Sequence, residues 1–256
     1  MSGLLEGHLA VITGGASGIG RAIAKGYAEQ GAHVVILDMN LEGAGNVGQA
    51  ILDAGGEAWS FKLDVTDRQQ CHDLANQIEE KIGKTSILVN NAGINRRNAF
   101  TANADDVIQD WEDIIGINLG GVFNVTHAFV DQLRSTKGRI VNIGSIQSFL
   151  HVRTPNSPAY TTSKHGVLGF TKALAAELGK DGVRVNAIGP GLIETPLNEN
   201  ARSNNPELIQ TFMDHTPLGR TGKPEDIVGP AVFLASDLAA YVTGGIVMAD
   251  GGYRAI

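Results

Sequence analysis

A tyrosine and a lysine stand four positions apart, Tyr160 and Lys164, which on a helix places them on one face, one turn from each other. A phenol is a poor acid or base near neutral pH, because its ordinary pKa is about 10. A neighbouring ammonium stabilises the phenolate, and a pKa near 7 requires roughly 4 kcal/mol of such stabilisation. The pair therefore favours a proton-exchanging tyrosine in a partly desolvated cleft. The alternative is an ordinary exposed helix face.

A serine hydroxyl is expected beside this pair. Ser145 lies fifteen residues before Tyr160 and follows the apolar run 139–144, which is typical of a strand. Open α/β sheets bind ligands at the carboxyl ends of their strands, so the hydroxyl should face a ligand. Hydroxyl, phenol and ammonium together suit proton transfer to or from the oxygen of an alcohol or a carbonyl group.

The beginning of the chain shows which elements position such a site. A strand over 8–13, a glycine-rich turn, a helix over 19–29 and a strand over 33–37 form one unit that ends at Asp38. A helix that begins at a glycine-rich turn presents backbone N–H groups and a positive dipole end to an anion. The unit therefore predicts a phosphate-binding turn, with the acid near the position that binds a ribose 2′-hydroxyl in dinucleotide sites.

The rest of the chain continues the alternation of strands and helices. We predict further helices over 41–53, 67–82, 105–135, 159–180, 206–213 and 224–235, and strands over 57–63, 86–89, 138–143, 183–188 and 246–249. This order predicts an α/β fold of Rossmann type, a doubly wound parallel seven-stranded sheet with helices on both faces. We see no linker or repeat, so we expect a single domain over 1–256.

Composition excludes several classes of function. Of 256 residues, 20 are Lys or Arg and 27 are Asp or Glu, and no basic block suggests a nucleic-acid partner. No signal peptide or apolar run of about 20 residues is visible, so we expect a cytoplasmic protein without a membrane partner. The one cysteine, Cys71, fits a reducing compartment. The seven histidines lack ligand spacing, and we expect no metal site.

Several short motifs recur along the chain in a fixed order. They are the turn 13–20, Asp64-Val65, Asn90-Asn91-Ala92-Gly93, Asn118, Ser145, Tyr160 with Lys164, Pro190-Gly191 and Asp250-Gly251-Gly252. In this order and at these intervals the chain resembles the short-chain dehydrogenases/reductases over nearly its whole length. The glycine spacing G-x-x-x-G-x-G, which departs from the usual G-x-G-x-x-G, is that family's own form of the turn.

The resemblance implies four catalytic residues. Tyr160 would be the acid/base on the substrate oxygen, and Ser145 would hydrogen-bond the same oxygen. Lys164 would lower the pKa of the tyrosine and hold the nicotinamide ribose. Asn118, whose glycine neighbours should bend its helix or pack it closely, would keep a water for proton relay; alternatively it is a helix-kink residue without a chemical role.

The resemblance also implies a nicotinamide cofactor. The residues expected to bind it are Gly14, Ser17, Gly18, Ile19, Gly20, Asp38, Asp64, Val65, Asn91, Ala92, Gly93, Tyr160, Lys164, Pro190, Gly191, Ile193 and Thr195. A carboxylate at Asp38 would accept hydrogen bonds from the ribose hydroxyls and repel a 2′-phosphate, and no basic residue follows it directly. We therefore expect NAD rather than NADP.

The substrate pocket is expected to hold several polar side chains. The residues predicted to bind substrate are Arg96, Arg97, Ser145, Gln147, Arg153 and Tyr160. A planar guanidinium suits a carboxylate or a cluster of hydroxyls, although solvated or interface arginines are an equal alternative. The chain resembles the sugar-acid and polyol members of the family, such as gluconate 5-dehydrogenases. The alternatives are a 3-oxoacyl-carrier-protein reductase and a nicotinamide-binding sensor or scaffold without turnover.

The two longest predicted helices, 105–135 and 159–180, carry apolar or small residues on more than one side. Each helix buries only one stripe against the sheet, so the remainder should pack against another copy of the chain. The family resemblance implies the same pairing. We therefore expect a homodimer or homotetramer that assembles through these helices.

Overall fold

A parallel sheet of seven strands forms the centre of the computed structural model, which describes residues 3–152, 158–204 and 206–256. The strands are β1 (Leu9–Thr13), β2 (His33–Asp38), β3 (Ala58–Lys62), β4 (Ile87–Asn90), β5 (Arg139–Ile143), β6 (Arg184–Pro190) and β7 (Ile246–Ala249). Their order is β3-β2-β1-β4-β5-β6-β7, and every neighbouring pair is parallel. The order reverses direction between β1 and β4, where doubly wound sheets bind ligands. The predicted fold is confirmed.

Helices cover both faces of this sheet. They are α1 (Gly18–Glu29), α2 (Leu41–Asp53), α3 (Arg68–Lys81), α4 (Ala104–Ile115), α5 (Val122–Ser135), α6 (Pro158–Leu178), α7 (Glu199–Asn204), α8 (Pro206–Asp214) and α9 (Val228–Ala235). One core cluster joins the sheet to α1, α2 and α9, and a second joins it to α3, α5 and α6. Because both faces are covered, central strands such as β1 are buried at every residue, which explains their continuous apolar sequence.

The helical region 104–135 changes its winding in the middle. A π-helical turn, Gly116–Gly121, joins α4 to α5 and contains Asn118. This turn is the irregularity that the three glycines predicted, and π-turns inside helices are frequent at functional sites. The 32 residues Ala104–Ser135 are long and apolar enough for a membrane span, but 44% of the most apolar window is buried inside the protein. Length and apolar composition in one helix are weak evidence for a membrane span, because core helices of globular proteins meet the same criteria.

Several elements differ from the sequence prediction, and the following differences are the most informative. Strand β6 continues two residues beyond the predicted end at 188, because Pro190 still pairs in register with Ala249. The predicted helix 224–235 is a 3₁₀ turn, Pro224–Ile227, followed by α9. The short helix α7 was not predicted, because its six residues are too few for a helical period to be visible.

Candidate active site

A cavity of about 410 Å³ opens at the carboxyl ends of β1, β4, β5 and β6. It is lined by every residue that the sequence assigned to catalysis, and by all of the assigned cofactor residues except Gly20. The structure therefore brings together side chains that are spread over almost 180 positions of the sequence. Arg153, which was predicted to bind substrate, lies outside the described residues.

The glycine turn forms one end of the cavity. Gly14 and Gly18 have φ angles of +63° and +53°, in the region that favours glycine, and a Cβ on Gly14 would meet the backbone of Ala92 at 2.8 Å. Ser17 precedes α1 without capping it, so first-turn N–H groups remain for an anion. Gly20 does not line the cavity, and its contact with the cofactor stays a prediction. A Cβ there would lie 2.2 Å from the carbonyl oxygen of Gly14, so this glycine lets α1 approach the turn.

Backbone hydrogen bonds fix the carboxylate of Asp38 at the end of β2. Its Oδ2 accepts from the N–H of Ala16 at 3.0 Å, and its Oδ1 accepts from the N–H of Asn40 at 2.9 Å. Among the described residues that line the cavity, the cations are Arg97 and Lys164, which belong to the catalytic end. The end of the cavity that holds Asp38 and Asp64 therefore carries two carboxylates and, among the described lining residues, no cation.

Asn91 ties the end of β4 to the end of β1. Its Nδ2 donates to the carbonyl oxygens of Thr13 and Gly14 at 3.0 and 2.9 Å, and its backbone N–H donates to the hydroxyl oxygen of Thr13 at 3.0 Å. These bonds hold the cavity floor open between the two strands at the point where strand order reverses. An extended cleft with an N–H-rich turn at one end fits a dinucleotide.

The catalytic residues meet at the opposite end of the cavity. Burial raises the pKa of Tyr160, and both the Ser145 hydroxyl and the positive charge of Arg97 act against that rise. Lys164 donates from Nζ to the carbonyl oxygen of Ile143 at 2.8 Å, and its Nζ lies 5.7 Å from the centre of the Tyr160 ring. Burial lowers the pKa of Lys164 to about 8. Arg97 was not expected to influence the tyrosine; the expected effect of Lys164 on its pKa stays a prediction.

A short 3₁₀ turn, Ile146–Ser148, orients the serine hydroxyl. The oxygen of Ser145 accepts from the backbone N–H of Gln147 at 3.1 Å, and the Ser145 N–H donates to the Ser148 hydroxyl at 3.2 Å. Because its oxygen already accepts one bond, the Ser145 hydroxyl can give its proton to the phenol or to a substrate oxygen. The hydrogen bond from Ser145 to a substrate oxygen stays a prediction, with which this geometry is compatible.

Asn118 holds the segment that follows β4. Its Oδ1 accepts from the N–H of Ile94 at 2.8 Å, while its Nδ2 donates to the carbonyl oxygen of Ile94 at 2.9 Å and faces the Ser163 hydroxyl at 3.4 Å. The π-helical turn thus aims the amide at the backbone of the cavity wall. The structural role is visible, and the water relay stays a prediction.

The two adjacent arginines have different environments. Arg97 lines the cavity and lies near Tyr160, and no described carboxylate is within ion-pair distance of it. Arg96 does not line the cavity, which argues against the substrate role predicted for it. It forms ion pairs with Asp113 at 2.5 Å and Asp110 at 3.6 Å on α4. The sequence alone could not tell which arginine lines the cavity, because the side chains of neighbouring residues in an irregular loop do not point in directions that a repeat would predict.

Three apolar residues of the cavity wall were not named in the sequence prediction, although two of them lie in the segment from Glu194 to about Asp214 that was expected to form part of the substrate pocket. Leu192, Leu197 and Phe212 line it with apolar surface from the segment between β6 and α9. Phe212 lies on α8 and also belongs to a small core cluster with Ile146 and Val152, close to the catalytic turn. The amphipathic pattern of α8 was the available signal, but it does not state which partner the apolar face meets.

Comparison with known proteins agrees with this geometry. A family model described as enoyl-(acyl carrier protein) reductase matches residues 14–254. The chain belongs to the short-chain dehydrogenase/reductase family. As a short-chain dehydrogenase/reductase it is an oxidoreductase that uses a nicotinamide cofactor.

Relatives of this short-chain dehydrogenase/reductase act on different substrates. A 3-oxoacyl-[acyl-carrier-protein] reductase from Thermotoga maritima is 39% identical over 97% of this chain and 98% of its own. A solved structure of a putative NAD(P)-dependent gluconate 5-dehydrogenase from Beutenbergia cavernae, with NADP at low occupancy, is 39% identical over 98% of both chains with a TM-score of 0.91. A gluconate 5-dehydrogenase from Burkholderia cenocepacia, with NADP and tartrate, is 36% identical over 98% and 97%, with a TM-score of 0.92.

Proposed function

We propose that this enzyme interconverts a secondary alcohol and a ketone on a polyol, sugar or sugar acid, with NAD(H) as the cofactor. The observation that carries the substrate class is the Arg97 guanidinium, which lines the cavity beside Tyr160 without a described carboxylate partner. A planar guanidinium in a partly desolvated cavity binds a carboxylate or several hydroxyls with charge-assisted hydrogen bonds. An apolar acyl chain would leave it without a partner.

The protein's own residues account for the proton transfer. In the oxidative direction the phenolate of Tyr160 takes the proton of the substrate hydroxyl, while the Ser145 hydroxyl donates to the same oxygen. A nicotinamide held in the cavity would supply the hydride chemistry at the carbinol carbon, while the protein's own residues handle the proton. The positive charge of Arg97 lowers the pKa of Tyr160 and so stabilises the phenolate. Lys164, whose Nζ lies 5.7 Å from the centre of the ring, would add to that stabilisation. Asn118 keeps the wall beside them in place.

The choice of NAD rests on Asp38. The carboxylate is fixed by two backbone N–H groups at the end of β2, where the ribose of a dinucleotide is bound in doubly wound sheets. A 2′-phosphate placed there would meet a negative charge, and the described lining offers no arginine or lysine at that end. The gluconate 5-dehydrogenase structures contain NADP, which favours the opposite choice, so both cofactors belong in the test.

The substrate class has one competing candidate. Identity of 39% with a 3-oxoacyl-[acyl-carrier-protein] reductase supports a hydroxyacyl thioester as substrate. Tartrate in the related Burkholderia structure supports a hydroxylated carboxylate instead. Arg97 and the polar Gln147 at the cavity wall favour the hydroxylated carboxylate.

A substrate panel tests the proposal. Purified enzyme is assayed for formation of reduced cofactor with polyols, aldonates and hydroxyacyl thioesters, each with NAD and with NADP. We expect the highest kcat/KM with an aldonate or polyol and NAD. Turnover confined to the thioesters would select the reductase instead, and no turnover on any class would favour a sensor or scaffold.

A further inference from the structure

The carboxamide of Gln147 is held by a threonine that directly follows the catalytic tyrosine. Gln147 lines the cavity and its side chain is almost fully buried. The hydroxyl of Thr161 donates to its Oε1 at 2.7 Å. The backbone N–H of the same glutamine donates to the catalytic hydroxyl of Ser145. Both ends of Gln147 are therefore tied to residues adjacent to, or part of, the catalytic set.

A histidine completes the chain of hydrogen bonds. His151 Nδ1 lies 3.3 Å from the Thr161 hydroxyl oxygen. When this nitrogen carries a proton it donates to the threonine oxygen, and the single hydroxyl proton then goes to the glutamine oxygen. With that tautomer of His151 the hydrogen bonds run from His151 through Thr161 to Gln147, and the amide oxygen is the group that faces Thr161.

The donor-to-acceptor direction of these hydrogen bonds determines which polar group of the Gln147 side chain can bind a ligand. A carboxamide has one acceptor oxygen and two N–H donors. Because the oxygen of Gln147 is engaged, its Nε2 is the group left for the cavity, and no described residue lies within hydrogen-bond distance of it. The cavity is therefore lined by an amide donor and by the Arg97 guanidinium, and both groups donate hydrogen bonds to oxygen acceptors.

We propose that Thr161 is a positioning residue that orients the Gln147 carboxamide so that its N–H binds a hydroxyl or carboxylate oxygen of the substrate. The inference rests on the proposed function in one respect, namely that the substrate carries such an oxygen beyond the reacting carbon. Thr161 does not touch the reacting atoms in this account. It acts on substrate affinity through the glutamine, while Tyr160, its neighbour in sequence, performs the chemistry.

A double-mutant cycle tests this coupling. Thr161→Val keeps the shape of the side chain but removes the hydroxyl, and Thr161→Ser keeps the hydroxyl. With the best substrate of the panel, we expect Thr161→Val to raise its KM about 2- to 12-fold, the range of one hydrogen bond. The kcat and the KM of the cofactor should stay near wild type, and Thr161→Ser should restore substrate affinity. In a Gln147→Ala background, Thr161→Val should cause no further loss.

Two results would overturn the proposal. One is an equal loss from Thr161→Val with and without Gln147, and the other is a fall in kcat with an unchanged KM. The cycle uses whichever substrate is turned over, so its outcome is separate from that of the panel. If only thioesters react, the proposed substrate class fails, while the coupling between Thr161 and Gln147 is still measured on the thioester.

Discussion

The ammonium of Lys164 donates to the carbonyl oxygen of Ile143, the last residue of β5, at 2.8 Å. This bond anchors the lysine under the cavity floor, with its Nζ 5.7 Å from the centre of the Tyr160 ring. One hydrogen bond does not replace the water that the buried ammonium has lost, and burial lowers its pKa from 10.5 to about 8. The charge of the active site is therefore sensitive to pH just above neutrality in the free enzyme.

A pH-dependent stability follows from this shift. Below pH 8 the lysine is protonated in both folded and unfolded chains, so the folded state bears the full cost of the buried charge. Between pH 8 and 10.5 the unfolded chain binds more protons, so stability rises with pH relative to a variant without this amine. We expect a relative gain on the order of 3 kcal/mol. Denaturant unfolding of wild type and Lys164→Met across this range measures it, and parallel pH profiles would contradict it.

Arg97→Ala should affect substrate more than cofactor. Loss of a charge-assisted hydrogen bond to an anion costs about 1.5–3 kcal/mol, so kcat/KM for an aldonate should fall roughly 10- to 150-fold. The kcat/KM for a neutral short alcohol should fall much less, and the KM of the cofactor should barely change. Steady-state kinetics at the pH plateau of each variant provides the comparison. Equal losses in kcat/KM on charged and neutral substrates would show that Arg97 does not bind the anionic group of the substrate.

Arg96→Ala is the matched control for that experiment. Its ion pairs with Asp110 and Asp113 lie on α4, and removing the arginine leaves the buried carboxyl of Asp110 without its cation. We expect a lower melting temperature, by the equivalent of about 1–3 kcal/mol, and a nearly unchanged KM for substrate. A selective loss on the aldonate in this variant would return Arg96 to the substrate site.

Arg97 should also set the pH dependence of oxidation. Its positive charge lowers the pKa of Tyr160, so removing it should raise that pKa. The active phenolate would then form at higher pH, and the acidic limb of the kcat/KM profile for alcohol oxidation should move upward on every substrate. Profiles of wild type and Arg97→Ala with a neutral alcohol check this, and coincident profiles would remove Arg97 from the electrostatics of the tyrosine.

Asp38→Asn should relax the choice of cofactor. The substitution keeps the shape and one acceptor oxygen but removes the charge that would repel a 2′-phosphate. We expect the ratio of kcat/KM for NADP over NAD to rise at least about tenfold, which corresponds to 1.4 kcal/mol. Asp53→Asn, an exposed acid at the end of α2, serves as the control. A wild-type preference for NADP would contradict the account of Asp38.

Assembly through the long helices stays a prediction that the surface supports. Ile108, Trp111 and Phe123 on α4 and α5 are 56%, 47% and 43% exposed, and Phe123 meets the edge of Phe170 on α6. Trp111→Lys should therefore shift sedimentation toward the 26.9 kDa monomer. Leu52→Lys on the distant helix α2, where Leu52 is 46% exposed, should not. A wild type that sediments only as a monomer at micromolar concentration would contradict the prediction.

The strands of the sheet could be predicted from the sequence more completely than the contacts within the candidate active site. Strands such as β1 and β5 are buried along their whole length, so their apolar runs between turns were unambiguous, and the glycines around Asn118 indicated the irregular turn. The motifs resembling the family located the cofactor cleft because its residues lie at strand ends. Gly20 does not line the cavity and allows close packing of α1 on the turn, and a glycine needed for packing looks the same in sequence as one that faces a ligand.

The features of the site that the sequence did not predict depend on the directions in which side chains point and on contacts between segments that are distant in the chain. Arg96 and Arg97 have different environments because Arg96 forms ion pairs with Asp110 and Asp113 on α4. The orientation of Gln147 is decided by a hydroxyl fourteen residues later in the chain. The wall made by Phe212 depends on how α8 packs near the catalytic turn. Periodicity and motif spacing carry no information on these relations.

The central claim is that Tyr160 transfers the proton, and Tyr160→Phe tests it most directly. The substitution removes one hydroxyl, so the folded state and cofactor affinity should be retained, as measured by thermal unfolding and by fluorescence titration with NADH. Turnover of the best substrate should fall at least about 10²-fold, the scale of general acid–base catalysis. A variant that folds, binds cofactor and turns over at a near-normal rate would contradict the account.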